Sequence, residues 1–329
     1  MRNQRLRLAL TAVALYQGLA WLADFTGTLV GSLARGKAPA GILMQWTTGA
    51  KLPQALLAVA LIAVAAIMNR RNGRSPEPET WHVAGGFLLI GAVFGFSSAL
   101  LDLAGTLAQL RAVAGTHVWT SILSSLVAPL VENLLLLLFF LLVRMRGIRQ
   151  RHDVTPSVRN VARQTEDAHI LTGESIVLYY GITLFIRCAS TPLMLLLLAV
   201  LRENASLPYG WISLGLEVAV TACLAVRQHR RRRRTLPPQP MQPLAFWISG
   251  TMLLIGTLRS LPAVILSLRA IMPPASLSLD ASVLPLQQLS FVMNAVFALI
   301  GAGCAVALIA LGERYARRGT FPAQPAPEE

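Results

Sequence analysis

Apolar residues fall in eight long runs, at roughly 8–31, 50–68, 82–107, 118–143, 175–201, 208–226, 244–268 and 285–311. Each is close to the ~20 residues that carry a helix across the hydrocarbon core of a bilayer. Within several runs the polar side chains recur at steps of three and four. This gathers them on one stripe and leaves the rest of the circumference apolar, as in a helix with one protein-facing side. The predicted fold is an all-α integral membrane protein with eight transmembrane helices.

The pattern repeats along the chain. Leu15-Tyr16-Gln17-Gly18 returns as Leu178-Tyr179-Tyr180-Gly181, Trp46 as Trp211, and Leu88-Leu89-Ile90-Gly91 as Leu253-Leu254-Ile255-Gly256, each 163 to 165 residues later in a chain of 329. Four spans per unit is an even number, so both units enter the membrane in the same orientation. The expected arrangement is two parallel four-helix repeats related by a pseudo-two-fold axis along the membrane normal. The boundaries are a first repeat at 1–144, a polar cytoplasmic linker at 145–174, a second repeat at 175–318 and a disordered tail at 319–329. A second break at 236–243 is too rich in proline to be helical.

Composition excludes a soluble domain. With 54% hydrophobic and 13% charged residues and a mean hydropathy of +0.58, much of the apolar surface would face water. The charges then set orientation. Arg2, Arg5 and Arg7 precede the first span, Arg70, Arg71 and Arg74 follow the second, and Arg144, Arg146, Arg149 and Arg151 follow the fourth. Arg227 and the run Arg230, Arg231, Arg232, Arg233, Arg234 follow the sixth, and Arg314, Arg317 and Arg318 follow the eighth. Eight crossings put all five clusters on one side, which the positive-inside rule makes cytoplasmic, with both termini.

The net charge of +14 is therefore mainly a device of topology. No nucleic-acid partner is expected, because the five-arginine run sits at a helix end without interleaved aromatics. That run is instead expected to hold anionic lipid headgroups as well. The first span resembles a secretory signal, but its repeat partner at 175–201 argues for a retained helix. A chain rich in Ala, Leu and Arg and poor in Lys fits a multi-pass protein of the bacterial inner membrane.

Conventional reaction motifs are missing. Cys188, Cys223 and Cys304 lie inside spans without metal or disulfide spacing. His82 and His117 lie at span ends, while His152, His169 and His229 fall in cytoplasmic loops, so no haem pair at mid-membrane is expected. Gly95-Phe96-Ser97-Ser98-Ala99 lacks the last glycine of a nucleophile elbow and has no His base at its depth. Neither a cofactor nor a metal is expected, and no catalytic residue is assigned.

What stands out are ionisable residues inside the spans: Asp24, Asp102, Glu132, Arg187, Glu217 and Arg259. Each costs about 2.5–3.5 kcal/mol at a helix centre, so each is expected to face protein or a water-filled cavity. Gln17, Asp24 and Thr28 share a stripe on the first span, and Tyr180, Arg187 and Thr191 correspond to them on the fifth. The first and fifth spans are thus expected to meet near the axis, with Asp24 beside Arg187. Pro129, Pro192 and Pro262 lie three to five residues from such charges and free backbone carbonyls there.

The function this pattern points to is the transport or binding of a small solute, ion or lipid through a polar centre between the repeats. Alternatives are a structural or assembly subunit whose intramembrane charges recruit a partner, and an intramembrane enzyme. Active pumping would require a partner membrane subunit or ATPase, or an ion gradient, since no nucleotide-binding loop is present.

Overall fold

The computed structural model describes residues 2–34, 51–70, 78–110, 116–152, 168–188, 208–234, 242–271 and 284–318. The helices are α1 (Arg2–Ala34), α2 (Lys51–Arg70), α3 (Pro78–Leu110), α4 (Thr116–His152), α5 (Ala168–Cys188), α6 (Pro208–Arg234), α7 (Pro243–Ile271) and α8 (Leu284–Arg318). No strand occurs among the described residues. Five helices hold stretches long and apolar enough to cross a membrane: Leu6–Ala34, Thr80–Leu101, Leu126–Ile148, Ala168–Cys188 and Ala295–Arg317. Shorter apolar stretches, Gln54–Met68 and Pro243–Leu258, occupy α2 and α7. An all-helical chain with this many apolar helices is compatible with a multi-pass membrane protein.

Several helices overrun the apolar runs that announce them. Arginine is a good helix former, and cations are favoured at a helix C-terminus. Accordingly α4 continues through Arg144, Arg146, Arg149 and Arg151 to His152, and α6 ends on its arginine run. The beginning of α5 also differs from expectation: the helix starts at Ala168, inside the stretch read as a polar linker. Ala168, Ile170 and Leu171 are all buried, and their apolar contacts hold this first turn against the bundle. His152, His169 and His229 consequently lie on helices rather than in loops.

At the centre runs α1, which packs against α2, α3, α4 and α7. Its apolar stretch is 61% buried against 17% for that of α4, so α1 is enclosed by protein while α4 is mostly peripheral. Small residues make this possible. A Cβ at Gly27 would come within 2.6 Å of the Ala128 carbonyl oxygen, and one at Gly31 within 2.6 Å of the Ala128 Cβ. The Gly27 and Gly31 pair is the small-xxx-small spacing that lets two backbones touch. The main core joins Ala12, Val13 and Tyr16 of α1 to Phe87 and Leu88 of α3 and to Ile248 and Met252 of α7. A satellite cluster of Phe246, Leu253, Ala305 and Leu308 ties α7 to α8.

Large apolar side chains are displayed outward. Leu134, Leu138 and Leu141 of α4, Leu56, Leu57 and Val59 of α2, and Val296, Leu299 and Ile300 of α8 are all exposed. Soluble monomers do not carry apolar faces of this extent. A lipid surround removes the cost, and the interior can then be built from small and polar residues.

Contacts between helix ends assemble one common face of the bundle. Thr11 of α1 reaches Met68 of α2, and His82 of α3 meets His169 of α5. Gln228 of α6 donates to the Ile170 carbonyl of α5 at 2.8 Å. The start of α7 and the end of α8 meet where Trp247 and the Pro243 carbonyl crowd Gly312. The described segments that carry Arg144, Arg146, Arg227 and Arg314 end on this face.

Candidate functional site

Two polar zones lie within the bundle. The first follows one stripe of α1, where Gln17, Trp21, Asp24 and Thr28 succeed one another at steps of three and four. Gln17 is buried, and its Nε2 donates to the Met252 sulfur of α7 at 3.5 Å. The Thr28 hydroxyl turns back to the Asp24 carbonyl at 2.8 Å, so it spends its donor locally. Asp24 is half-buried and engaged by its surroundings.

Trp21 is only 1% exposed, yet its indole N–H has no hydrogen-bond partner; the Thr221 hydroxyl and the Trp247 indole are the other such buried groups among the described residues. An unmet buried donor costs about 1–3 kcal/mol. Trp21 lies on the stripe shared with Gln17 and Asp24.

The α1 and α5 helices meet at Tyr16, the residue next to Gln17, and Tyr180. Tyr16 and Tyr180 share a side-chain hydrogen bond, and both hydroxyls stand beside Gly91 of α3, 3.8 and 3.7 Å from where its Cβ would be. Tyr180 also stacks on Phe87 at 6.2 Å and meets Phe94 edge-on at 5.0 Å. Tyr180 is thereby fixed by aromatic packing as well as by its hydroxyl.

Arg187 pairs with a residue the repeat does not point to. Its Nη1 donates to Oε2 of Glu217 on α6, which joins two of the six ionisable candidates. Antiparallel packing of α5 on α6 explains the match, since Gln228 at the far end of α6 bonds Ile170 at the far end of α5. The exposure is uneven, 50% for the Arg187 side chain and 9% for Glu217. On α4, Glu132 is half-buried with its Cβ against Gly27, one turn from Asp24. Asp102 and Arg259 belong to α3 and α7, but their side chains lie outside the described residues, as does Thr191 altogether.

The second zone was not visible in the sequence. Glu174, read as linker, is 1% exposed, and its Oε2 accepts the backbone N–H of Gln242 at 3.0 Å. Gln242 immediately precedes Pro243, the first residue of α7. The carboxylate therefore caps the positive end of a helix far away in sequence. Beside it the Ser249 hydroxyl donates to the Ser175 carbonyl at 2.9 Å. The only sequence signal is an acid three residues after the apolar turn 168–171.

Asn133 was missed for the same reason. It is buried, its Nδ2 donates to the Pro129 carbonyl at 2.7 Å, and its amide fills the space over Gly95. Ser97, in the motif reminiscent of a nucleophile elbow, bonds the Val93 carbonyl at 2.8 Å.

Among the described residues no three His, Cys, Asp or Glu side chains cluster as a metal site would require. No family model, curated protein or solved structure matches the chain.

Proposed function

We propose that the chain is an eight-span protein of the bacterial inner membrane, built as two parallel four-helix repeats with both termini in the cytoplasm. In this reading it transports or binds a small solute, ion or lipid through a polar centre formed by Asp24, Asp102, Glu132, Arg187, Glu217 and Arg259, with Gln17, Thr28, Tyr180 and Thr191 in support. The observation that carries it is the buried, unmet Trp21 indole N–H on the Gln17–Asp24 stripe. A sealed architectural core gains nothing from such a donor, whereas a centre that admits water or solute supplies its partner.

Matched contacts support the repeat. Gln17 touches Met252, and at the positions corresponding to these two, Tyr180 stacks on Phe87. Likewise Gly85 faces Phe140 and Val143, while Gly250 faces Ala305 and Leu308, each 165 residues further along. The gathering of basic helix ends on one face supports the orientation through the positive-inside rule. The 230–234 arginines are proposed to grip anionic headgroups at that face.

The assembly reading has its own observation. Arg187 remains half-exposed while paired, as a charge awaiting a partner subunit would be. Cysteine labelling separates the two readings. In a variant with Cys188, Cys223 and Cys304 replaced by Ala, Thr28→Cys is expected to react with a charged, membrane-impermeant thiol reagent. Reaction with a lipid-soluble maleimide alone would mean a dry centre and would remove the solute reading.

A further inference from the structure

Across the middle of the bundle runs a layer of side chains centred on Phe87 of α3, which is fully buried. Its ring lies 5.3 Å from that of Tyr16 on α1, 5.6 Å from Tyr179 and 6.2 Å from Tyr180 on α5. Gln17 and Met252, in contact at 3.5 Å, extend the layer to α7. Phe87 and Met252 come about nine residues from the starts of their helices, Tyr180 about twelve and Tyr16 about fourteen. At ~1.5 Å per residue that is a depth of ~14–21 Å, close to half the ~30 Å of a hydrocarbon core.

The two sides of the layer differ. Toward the face where the basic helix ends gather, the space between α1, α3 and α7 is filled: Ala12, Val13, Val83, Ala84 and Ile248 are all fully buried. The two clefts near that face are lined mainly by apolar side chains, among them Leu89 and Phe140 in one and Leu15 and Leu19 in the other, and by no residue of the polar centre. Beyond the layer, further from the basic ends, come Trp21, Asp24 and Thr28 of α1, Glu132 beside Gly27, and Arg187 with Glu217.

We propose that the Tyr16–Tyr180 hydrogen bond latches this layer shut, so that in this conformation the polar centre exchanges solute with the face opposite the basic helix ends and with that face alone. The inference rests on the solute reading of the centre and adds the side from which the solute arrives. The two hydroxyls bond each other among rings that offer no other partner, so parting α1 from α5 strands both donors unless water follows. Gly91 lets the α3 backbone close over both hydroxyls, 3.8 and 3.7 Å from where its Cβ would stand. Packing alone does not call for tyrosine, since phenylalanine fills the same space with no group to satisfy. The Gln17–Met252 contact resists opening much less, because a thioether is a weak acceptor. Moreover α1 and α5 belong to different proposed repeats, and rocking of one repeat against the other, the motion that exposes a central site to the two faces in turn, must break the tyrosine bond.

The test is the sidedness of cysteine labelling on the full chain, in right-side-out and inverted membrane vesicles, with Cys188, Cys223 and Cys304 replaced by Ala. A charged, membrane-impermeant maleimide is the probe, and Arg144→Cys, at an exposed position, marks the basic face. Thr28→Cys is expected to react only in the vesicles where Arg144→Cys does not. Tyr16→Phe and Tyr180→Phe each leave one hydroxyl without its partner, and each should raise labelling of Thr28→Cys from the basic face roughly fivefold, the weight of one net hydrogen bond. The double variant has no hydroxyl left to hydrate and should return labelling toward the parent level. Single variants that melt lower but keep one-sided labelling would overturn the latch, because they would show a packing role only. Labelling of the parent Thr28→Cys from the basic face would overturn the seal itself. No reaction from either side would instead mean a dry centre, and the solute reading would fall with the latch. Where a tyrosine variant fails to fold in detergent, Phe87→Leu, which takes away the ring on which Tyr180 stacks, replaces it with the same expected leak.

Discussion

A methyl group at position 95 would collide with a held amide. A Cβ on Gly95 would lie 1.9 Å from Oδ1, 2.7 Å from Cγ and 2.9 Å from Nδ2 of Asn133, and that amide is held by its bond to the Pro129 carbonyl. In a free helix, Gly→Ala stabilises by about 1 kcal/mol. Here the Asn133 side chain must leave its rotamer, at about 0.5–1.5 kcal/mol, and its buried amide loses its acceptor, at about 1–3 kcal/mol. Gly95→Ala is therefore expected to destabilise the protein by a net ~1–3 kcal/mol. Asn133→Ala removes the obstacle, at the expense of its own bond. In that background Gly95→Ala should change sign and stabilise by up to ~1 kcal/mol, a coupling of the size adjacent residues show. Thermal unfolding in detergent across the four-member cycle measures it. A Gly95→Ala single variant that melts above wild type would refute the packing of α3 on α4 described above.

Four further outcomes follow from the same contacts. Glu174→Ala should cost about 1–3 kcal/mol by leaving the start of α7 uncapped, and Glu174→Gln should cost less because its oxygen still accepts the Gln242 N–H; equal losses would mean the charge alone matters. Arg187→Ala should harm folding more than Glu217→Ala, since it strands a carboxylate that is 9% exposed rather than a guanidinium that is 50% exposed; melting temperatures in the reverse order would refute this. Trp21→Phe should lower stability by about 0.5–1.5 kcal/mol, because the indole N–H, which has no protein partner, gives up the hydrogen bond that the proposed polar centre offers it, and an unchanged or raised melting temperature would mean that the donor is unmet and the centre dry. A cysteine at Ser276 should be labelled from the periplasmic face alone, and cytoplasmic labelling would invert the proposed topology.

How far the sequence alone reaches depends on what kind of feature is being read. Apolar runs mark the described helices well, because a bilayer demands continuous apolar length and every backbone polar group satisfied within its own segment. The ends are less legible. At the C-terminus of α4 and the N-terminus of α5, helix continues into charged sequence, since arginine propensity and tertiary burial outlast the membrane signal. Charged side chains inside spans are easy to find, but their pairings are not. Arg187 to Glu217 depends on which helices are neighbours and in which direction, and a repeat aligned on Asp24 carries no information about that. Glu174 and Asn133 were illegible for a related reason: their roles are set by Gln242 and by Gly95, residues that only packing brings to them.

The divergence of charge between the proposed repeats has an electrostatic rationale. A pseudo-two-fold axis brings equivalent positions toward one another, so an ancestral charge kept on both repeats would face its own sign in a medium of low dielectric. Two like charges there repel by several kcal/mol and neither offsets the other's desolvation. In the proposed repeats Asp24 and Arg187 hold corresponding positions with opposite signs, which avoids such repulsion, and Arg187 is paired with Glu217. The same logic applies to the neutral layer two turns away. Gln17 and Met252 make a side-chain contact where Tyr180 and Phe87 stack, so the matched positions keep their contact while one becomes polar and the other aromatic. The polar half of this layer lies on α1, the helix with the unmet Trp21 donor.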